Sequence, residues 1–354
     1  MDSIKRLGIK AMVVTLCIML IPLYAFSVEK SQSSLLPASD KKVITGAAKG
    51  PLGDRMIARN TTQAAYEIDD EDGPTSWDHA SLPANIQIVR DVPYGGNARQ
   101  RFDVYRPALS HGAPVIFMVH GGGWSRGDKA SQVAVEKKVK RWVPKGFIFI
   151  STNYRLLPQA DPKEQARDIA RAIAVAQDKA ASWGGDRSKF IVMGHSAGAH
   201  LVLLLATDHL ISSNIVVTPW LGAIALNSSV YNVVETMESR HPPFYDKAFG
   251  RDPAYWKSAS PFHALTKKTR PILTVCSTRR TNACRQARRF AAKAASLRVP
   301  CTVLPKDLSH REINQRLGEE RRYTAEVESF MDSLDKSVAN KLTKQPSGPH
   351  YGGR

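Results

Sequence analysis

From residue 84 to residue 338 the chain alternates short apolar runs with longer stretches of helical spacing. The apolar runs are Pro114–His120, Phe147–Tyr154, Phe190–His195, Leu221–Asn227, Pro271–Cys276 and Cys301–Pro305. Runs without polar interruption predict strands covered on both faces. Ile86–Asp91 and Arg101–Arg106, with Gly95-Gly96-Asn97 near the turn, predict an initial strand pair. Helices are predicted over Lys129–Val143, Lys163–Trp183, Ala197–Asp208, Cys284–Arg298 and Arg311–Leu334. Such alternation implies an α/β fold, a mostly parallel sheet with helices on both faces. Residues 228–270 break the rhythm as an insertion rich in aromatic side chains, among them Tyr231, Phe244, Tyr245 and Phe249. It reads either as a cap with its own small core or as a lid over a pocket.

The two ends differ from this domain. Residues 28–83 lack sustained periodicity and carry the acidic run Asp69-Asp70-Glu71-Asp72, so a largely irregular linker is expected. Residues 339–354 read as an unstructured tail. Residues 1–27 have a basic start (Lys5, Arg6, Lys10), an apolar run from Ala11 to Tyr24, and small residues at Ala25 and Ser27. That is the layout of a signal peptide, and export to the periplasm or medium is expected rather than an N-terminal membrane anchor, because the apolar run is short for a span of about 20 residues.

Export changes the reading of the cysteines, since an oxidising compartment permits disulfides. Cys276 closes one predicted strand, Cys284 lies just beyond the following loop, and Cys301 opens the next strand at the other end of the sheet. A Cys276–Cys284 bridge is therefore expected. No CxxC pair or His/Cys cluster suggests a metal. The net charge is +18. A basic surface attracts anionic partners, but the basic residues are dispersed and no nucleic-acid motif accompanies them. At most, weak association with anionic surfaces is expected; the oligomeric state is not legible.

Two motifs carry chemistry. Gly194-His195-Ser196-Ala197-Gly198 follows an apolar strand and precedes an Ala/Leu-rich helix. This is the G-x-S-x-G arrangement, in which a sharp turn lifts a nucleophilic serine above the sheet and glycines remove side chains that would collide. His120-Gly121-Gly122-Gly123-Trp124 follows an earlier strand. Consecutive glycines let backbone N–H groups face a cavity, where they can receive a tetrahedral oxyanion. Gly121, Gly122 and Ala197 are the expected donors.

With Asn153-Tyr154-Arg155 ending the intervening strand and Trp183-Gly184-Gly185-Asp186 before the nucleophile strand, the region from about Ile86 to Met331 resembles the α/β-hydrolase superfamily. It is similar to the acetyl esterase, feruloyl esterase-like and arylformamidase-like branches. The resemblance implies a mainly parallel eight-stranded sheet, a catalytic triad, no cofactor or metal, and hydrolysis of a small-molecule ester with small or aryl acyl groups. An arylformamidase-like amide hydrolase and a catalytically idle fold used for binding are the alternatives. His310, after the last strand, occupies the family's position for the base. His195 and His200 are expected to be structural, as are Asp168 and Asp186.

The acid departs from the family. Its loop, after strand Pro271–Cys276, reads Ser277-Thr278-Arg279-Arg280-Thr281-Asn282, and no Asp or Glu occurs between Pro253 and Lys306. An acid one strand earlier would fall where the chain has Asn227 and Asn232. Asp307 is the first choice, provided its loop folds back; Asn282 is the rival, followed by a Ser–His dyad or an insertion acid from Glu235, Asp246 and Asp252.

Overall fold

The computed structural model describes residue 77 and residues 81–343. The expected signal peptide, most of the expected linker and the end of the tail from residue 344 lie outside the described residues.

Eight strands form one sheet in the order β1 (Ile86–Pro93), β2 (Arg101–Pro107), β4 (Ile148–Thr152), β3 (Ala113–Val119), β5 (Gly185–His195), β6 (Gly222–Leu226), β7 (Ile272–Ser277), β8 (Cys301–Lys306). β1 and β2 pair antiparallel, as do β2 and β4, and every other pairing is parallel. The expected eight-stranded, mostly parallel sheet is present. All seven residues of β3 are buried, which is why its sequence is apolar throughout instead of alternating.

Alternate side chains of β3 feed two cores. Val115, Phe117 and Val119 enter one with Phe102, Ile169, Ile173 and the helix α3 (Ala197–Thr207). Ile116 and Met118 enter the other with α1 (Gln132–Trp142), through Val135 and Val139, and α10 (Arg321–Leu334), through Val327 and Met331. Every residue of α3 is buried, so this helix runs beneath the insertion rather than along the surface. The insertion folds as four short helices: α4 (Val233–Glu238), α5 (Pro243–Phe249), α6 (Pro253–Ser258) and α7 (Pro261–Ala264).

Three expectations are corrected. The helix read as Lys163–Trp183 is α2 (Pro162–Lys179) plus a 3₁₀ turn, Ala180–Trp183, that Gly184 ends at φ 80°. The last helix is two, α9 (His310–Gln315) and α10, parted at Gly318, whose φ of +101° no side-chain-bearing residue adopts readily. The tail expected from residue 339 is helical at first, in α11 (Lys336–Thr343), with Val338 buried in the second core. In the linker, Trp77 is buried and stacks on Tyr105 at 6.1 Å.

Cys276 closes β7, and Cys284 lies in the first turn of α8 (Ala283–Ser296). Their Cα atoms are 5.1 Å apart and the two are bridged, while Cys301 is free. The bridge closes a short loop, so its reduction should lower stability by about 2–3 kcal/mol at most. Thermal melts with and without reductant test this. Free thiols at both positions in oxidatively folded protein, read by mass spectrometry, would remove the bridge.

Candidate functional site

Ser196 sits between β5 and α3 with φ 53° and ψ −117°, a strained conformation of the kind that costs about 1–3 kcal/mol and persists where surroundings impose it. The surroundings are visible. The Ser196 N–H donates to the Leu226 carbonyl at the end of β6. A Cβ on Gly194 would lie 2.4 Å from the Gly198 carbonyl, and a Cβ on Gly198 would lie 2.4 Å from the carbonyls of Val119 and His120. No side chain fits at either glycine. Among the described residues the Ser196 hydroxyl has no hydrogen-bond partner, so it is not bonded to the His310 ring in this arrangement. The N-terminus of α3 lies behind it and favours developing negative charge.

The loop after β3 runs beside this turn. Gly122 and Gly123 have φ of 104° and 57°, and the Ser125 and Arg126 N–H groups close the loop onto the Gly122 carbonyl. Neither the Gly121 nor the Gly122 N–H is spent on a backbone acceptor among the described residues. His120 stacks on Tyr154 at 4.5 Å, and the Tyr154 hydroxyl donates to the His120 carbonyl at 3.0 Å. Burial lowers the His120 pKa to about 4, so the ring is neutral and its Nδ1–H donates to the Gly121 carbonyl at 2.8 Å. Asn153 binds Asp128 and the Lys129 N–H, and Arg155 forms a two-bond pair with the fully buried Asp168. The Asn-Tyr-Arg sequence is thus the buttress of the Gly121–Gly122 loop. Trp124 continues the loop into the insertion, packing on Phe249 at 4.9 Å and donating to His200, whose Nε2 donates to the Ala259 carbonyl. His200 is structural in this sense, and Asp186 turns onto Ser188 and Lys189.

His310 is the first residue of α9, held there by a capping box between Ser309 and Glu312. Its ring lies 4.5 Å from that of His195, the residue preceding Ser196, and the His195 Nε2–H donates to the His310 carbonyl at 3.1 Å. His195 is therefore more than a flank of Ser196: it holds the backbone of the candidate base. Burial lowers the His195 pKa to about 3, leaving it neutral.

Asp307 does not orient His310. Its side chain is 81% exposed and pairs with Arg279, because the loop turns the carboxylate outward instead of folding back. Asn282 does not reach the histidine either; it precedes α8 and accepts from Arg285. The insertion acids are spent elsewhere: Glu235 on Arg285 and Arg289, Asp246 on His241, and Asp252 capping α6.

What meets the His310 Nδ1 is two donors, Asn227 Nδ2 at 2.7 Å and Arg280 Nη1 at 2.9 Å. The orientation of the Asn227 amide follows from its other bond. The Ser277 N–H can only donate, and it lies 2.9 Å from Oδ1, so the NH₂ must face the imidazole. Nδ1 is then an acceptor and the ring proton sits on Nε2. A general base for serine needs the opposite tautomer. Burial first, then His195 and the Arg280 cation, hold the His310 pKa well below its usual range.

The sequence profile of the BD-FAE family matches residues 102–282, just over half of the chain. The chain belongs to the BD-FAE family. Among curated proteins, this BD-FAE member is 30% identical over 203 residues to "Esterase LipQ" of Mycobacterium tuberculosis, a match covering 52% of this chain and 47% of that protein. It is 31% identical over 116 residues to "Isoprenylcysteine alpha-carbonyl methylesterase ICME" of Arabidopsis thaliana, covering 32% and 26%. The chain thus spans half or less of the length of these relatives. Esterase B of Lactobacillus rhamnosis superposes with a TM-score of 0.60 at 18% identity, covering 72% of this chain and 88% of that one. The fold is that of the α/β-hydrolases.

Asn227 and Arg280 are where this BD-FAE member parts from a working triad. Both positions stand out in the sequence, one ending a strand and one in the acid loop, but the sequence does not say that both side chains point at one nitrogen. Asn227→Asp replaces the amide with a carboxylate of the same shape, still accepting from Ser277. An Asp→Asn change in a working triad costs about 10⁴ in turnover, so the reverse change should raise kcat by about 10²–10⁴. The pH profile carries an independent sign. The imidazolium is disfavoured in the native protein, so the acid limb of kcat/KM should lie well below pH 6.5, the approximate free value. A carboxylate favours the imidazolium, so Asn227→Asp should move the limb upward. No gain in kcat and no shift of the limb would show that Asn227 does not control the base. Asp307→Asn, by contrast, should leave turnover close to wild type; a loss of several orders of magnitude would return the acid's role to Asp307.

Proposed function

We propose that the protein is a carboxylic ester hydrolase acting through an acyl-enzyme on Ser196. The observation that carries this is the pairing of a strained, unencumbered serine at the β5–α3 turn with the unspent N–H groups of Gly121 and Gly122. The esterase names of the relatives support it. Ser196 Oγ attacks the ester carbonyl, its proton passes to His310 Nε2 once the ring has moved its own proton to Nδ1, and the oxyanion is received by Gly121, Gly122 and Ala197. The leaving alcohol takes the proton, and water repeats the sequence to release the acid. Small or aryl acyl groups are the proposed substrates, with the aromatic insertion beside Trp124 as one wall. The reading also includes export, supported by the apolar N-terminal run and by the Cys276–Cys284 bridge.

A second reading, an idle hydrolase fold used for binding, is favoured by one observation: the Arg280 cation at Nδ1 opposes the tautomer that proton transfer needs.

One assay separates the two. A fluorophosphonate probe should label Ser196, and Ser196→Ala should abolish labelling and lower hydrolysis of short-chain nitrophenyl esters by at least about a thousandfold, within the range of triad knockouts. Absence of labelling in the wild type, beside a labelled control hydrolase, would leave the binding reading.

A further inference from the structure

The position that a triad acid would occupy is a convergence of donors. Arg280 Nη1 and Asn227 Nδ2 both lie against His310 Nδ1, which would itself be a third donor in the tautomer that catalysis needs. The neighbouring arginines have carboxylate partners: Arg279 pairs with Asp307 and Glu312, and Arg285 and Arg289 share Glu235. Arg280 alone in this group has no carboxylate partner among the described residues, and it is only half-buried. Behind it lies a cavity of about 210 Å³ lined by Arg240, His241, Arg280, Ser229, Asn282 and Gln286, with no Asp or Glu in its wall. Asn282, at the N-cap of α8, makes no side-chain capping bond and lines the same space. Arg280 and Asn227 together point two donors, one of them a cation, at a single ring nitrogen, an arrangement that an anion would suit.

We propose that Arg280, Asn227 and His310 bind a carboxylate supplied from outside the chain, and that this carboxylate takes the place of the missing triad acid. Its catalytic consequence rests on the ester-hydrolase reading above. Arg280 swings back toward the cavity and holds the anion. One carboxylate oxygen takes the position of Nη1, and Asn227 Nδ2 supplies a second donor. His310 takes a proton from solvent at Nδ1, donates it in a hydrogen bond to the carboxylate, and releases its Nε2 proton to solvent. Nε2 is then the lone pair that receives the Ser196 proton. The carboxylate comes either as a free small acid or as part of the ester.

The probes are formate and a matched pair of esters, 4-acetoxybenzoate and its uncharged methyl ester. Formate, against chloride at equal ionic strength, should raise hydrolysis of the methyl ester saturably, by about tenfold or more, as part of the 10⁴ that an orienting carboxylate is worth. In ¹⁵N-histidine spectra, formate should convert His310 Nδ1 from an unprotonated to a protonated shift. Arg280→Gln should lose both responses. Asn227→Asp, with its own carboxylate, should be insensitive to formate. If the substrate's own carboxylate is the source, kcat/KM should favour 4-acetoxybenzoate without formate, and Arg280→Gln should erase that preference; equal rates for the two esters with formate activation would make a free acid the source. Formate that changes neither the rate nor the Nδ1 shift of wild type, or that activates Arg280→Gln equally, overturns the proposal and leaves the hydrolase reading standing. A formate-induced Nδ1 shift lost in Arg280→Gln, with neither ester hydrolysed, upholds the carboxylate site and fells the hydrolase reading instead.

Discussion

The backbone of α3 approaches the end of β3 so closely that Gly198 has the carbonyls of Val119 and His120 where a Cβ would stand. Much of the site depends on this contact. It sets the Ser196 turn beside the loop that carries Gly121 and Gly122, and it fixes their relative height above the sheet. The strain at Ser196 is tolerable because both sides of the turn are pinned, by Leu226 through a hydrogen bond and by the glycine contacts through volume. A fully buried α3 adds rigidity, since any shift of that helix would disturb a close-packed core.

Around this centre the polar residues divide into two sets with different physics. Under the Gly121–Gly122 loop the charged and amide groups are paired: Asp168 with Arg155 and Arg171, Asn153 with Asp128, and the Tyr154 hydroxyl with the His120 carbonyl. Buried groups satisfied in this way hold one geometry. Around His310 the matching fails in a specific direction. Donors outnumber acceptors, and the imidazole responds by presenting a lone pair at the nitrogen that should carry a proton. The buried amide of Asn227 is held by Ser277, whose hydroxyl also donates to the Leu308 carbonyl in the loop before α9. One residue thus joins the ends of β6 and β7 to the segment that delivers the histidine.

The strand runs, the turn at Ser196, the glycine loop and the position of His310 were all legible along the chain, because each is a local property. An apolar run, a pair of glycines around a serine, or a histidine just past a strand needs no distant neighbour to be recognised. The change to a 3₁₀ turn at Ala180 and the break at Gly318 are not legible because helical spacing continues across them, while the positive φ of Gly318 depends on how the flanking elements must pack. The acid was misjudged for a related reason. Asp307 is next in sequence to the right loop, but the direction of a side chain on a loop is set by its competitors, and Arg279 wins that carboxylate on the outer surface.

By itself, the sequence determined the class of fold, the sharp turn at Ser196, the candidate oxyanion donors and the absence of any acidic residue from Pro253 to Lys306. Only the tertiary structure decided what takes the acid's place. Asn227 and Arg280 are 53 residues apart and lie on different strand ends, yet both reach one nitrogen of His310. Parallel strands bring their C-terminal ends to one edge whatever their separation in sequence. Which donor faces which acceptor at that edge is settled by hydrogen-bond geometry in three dimensions, and no pattern along the chain encodes it.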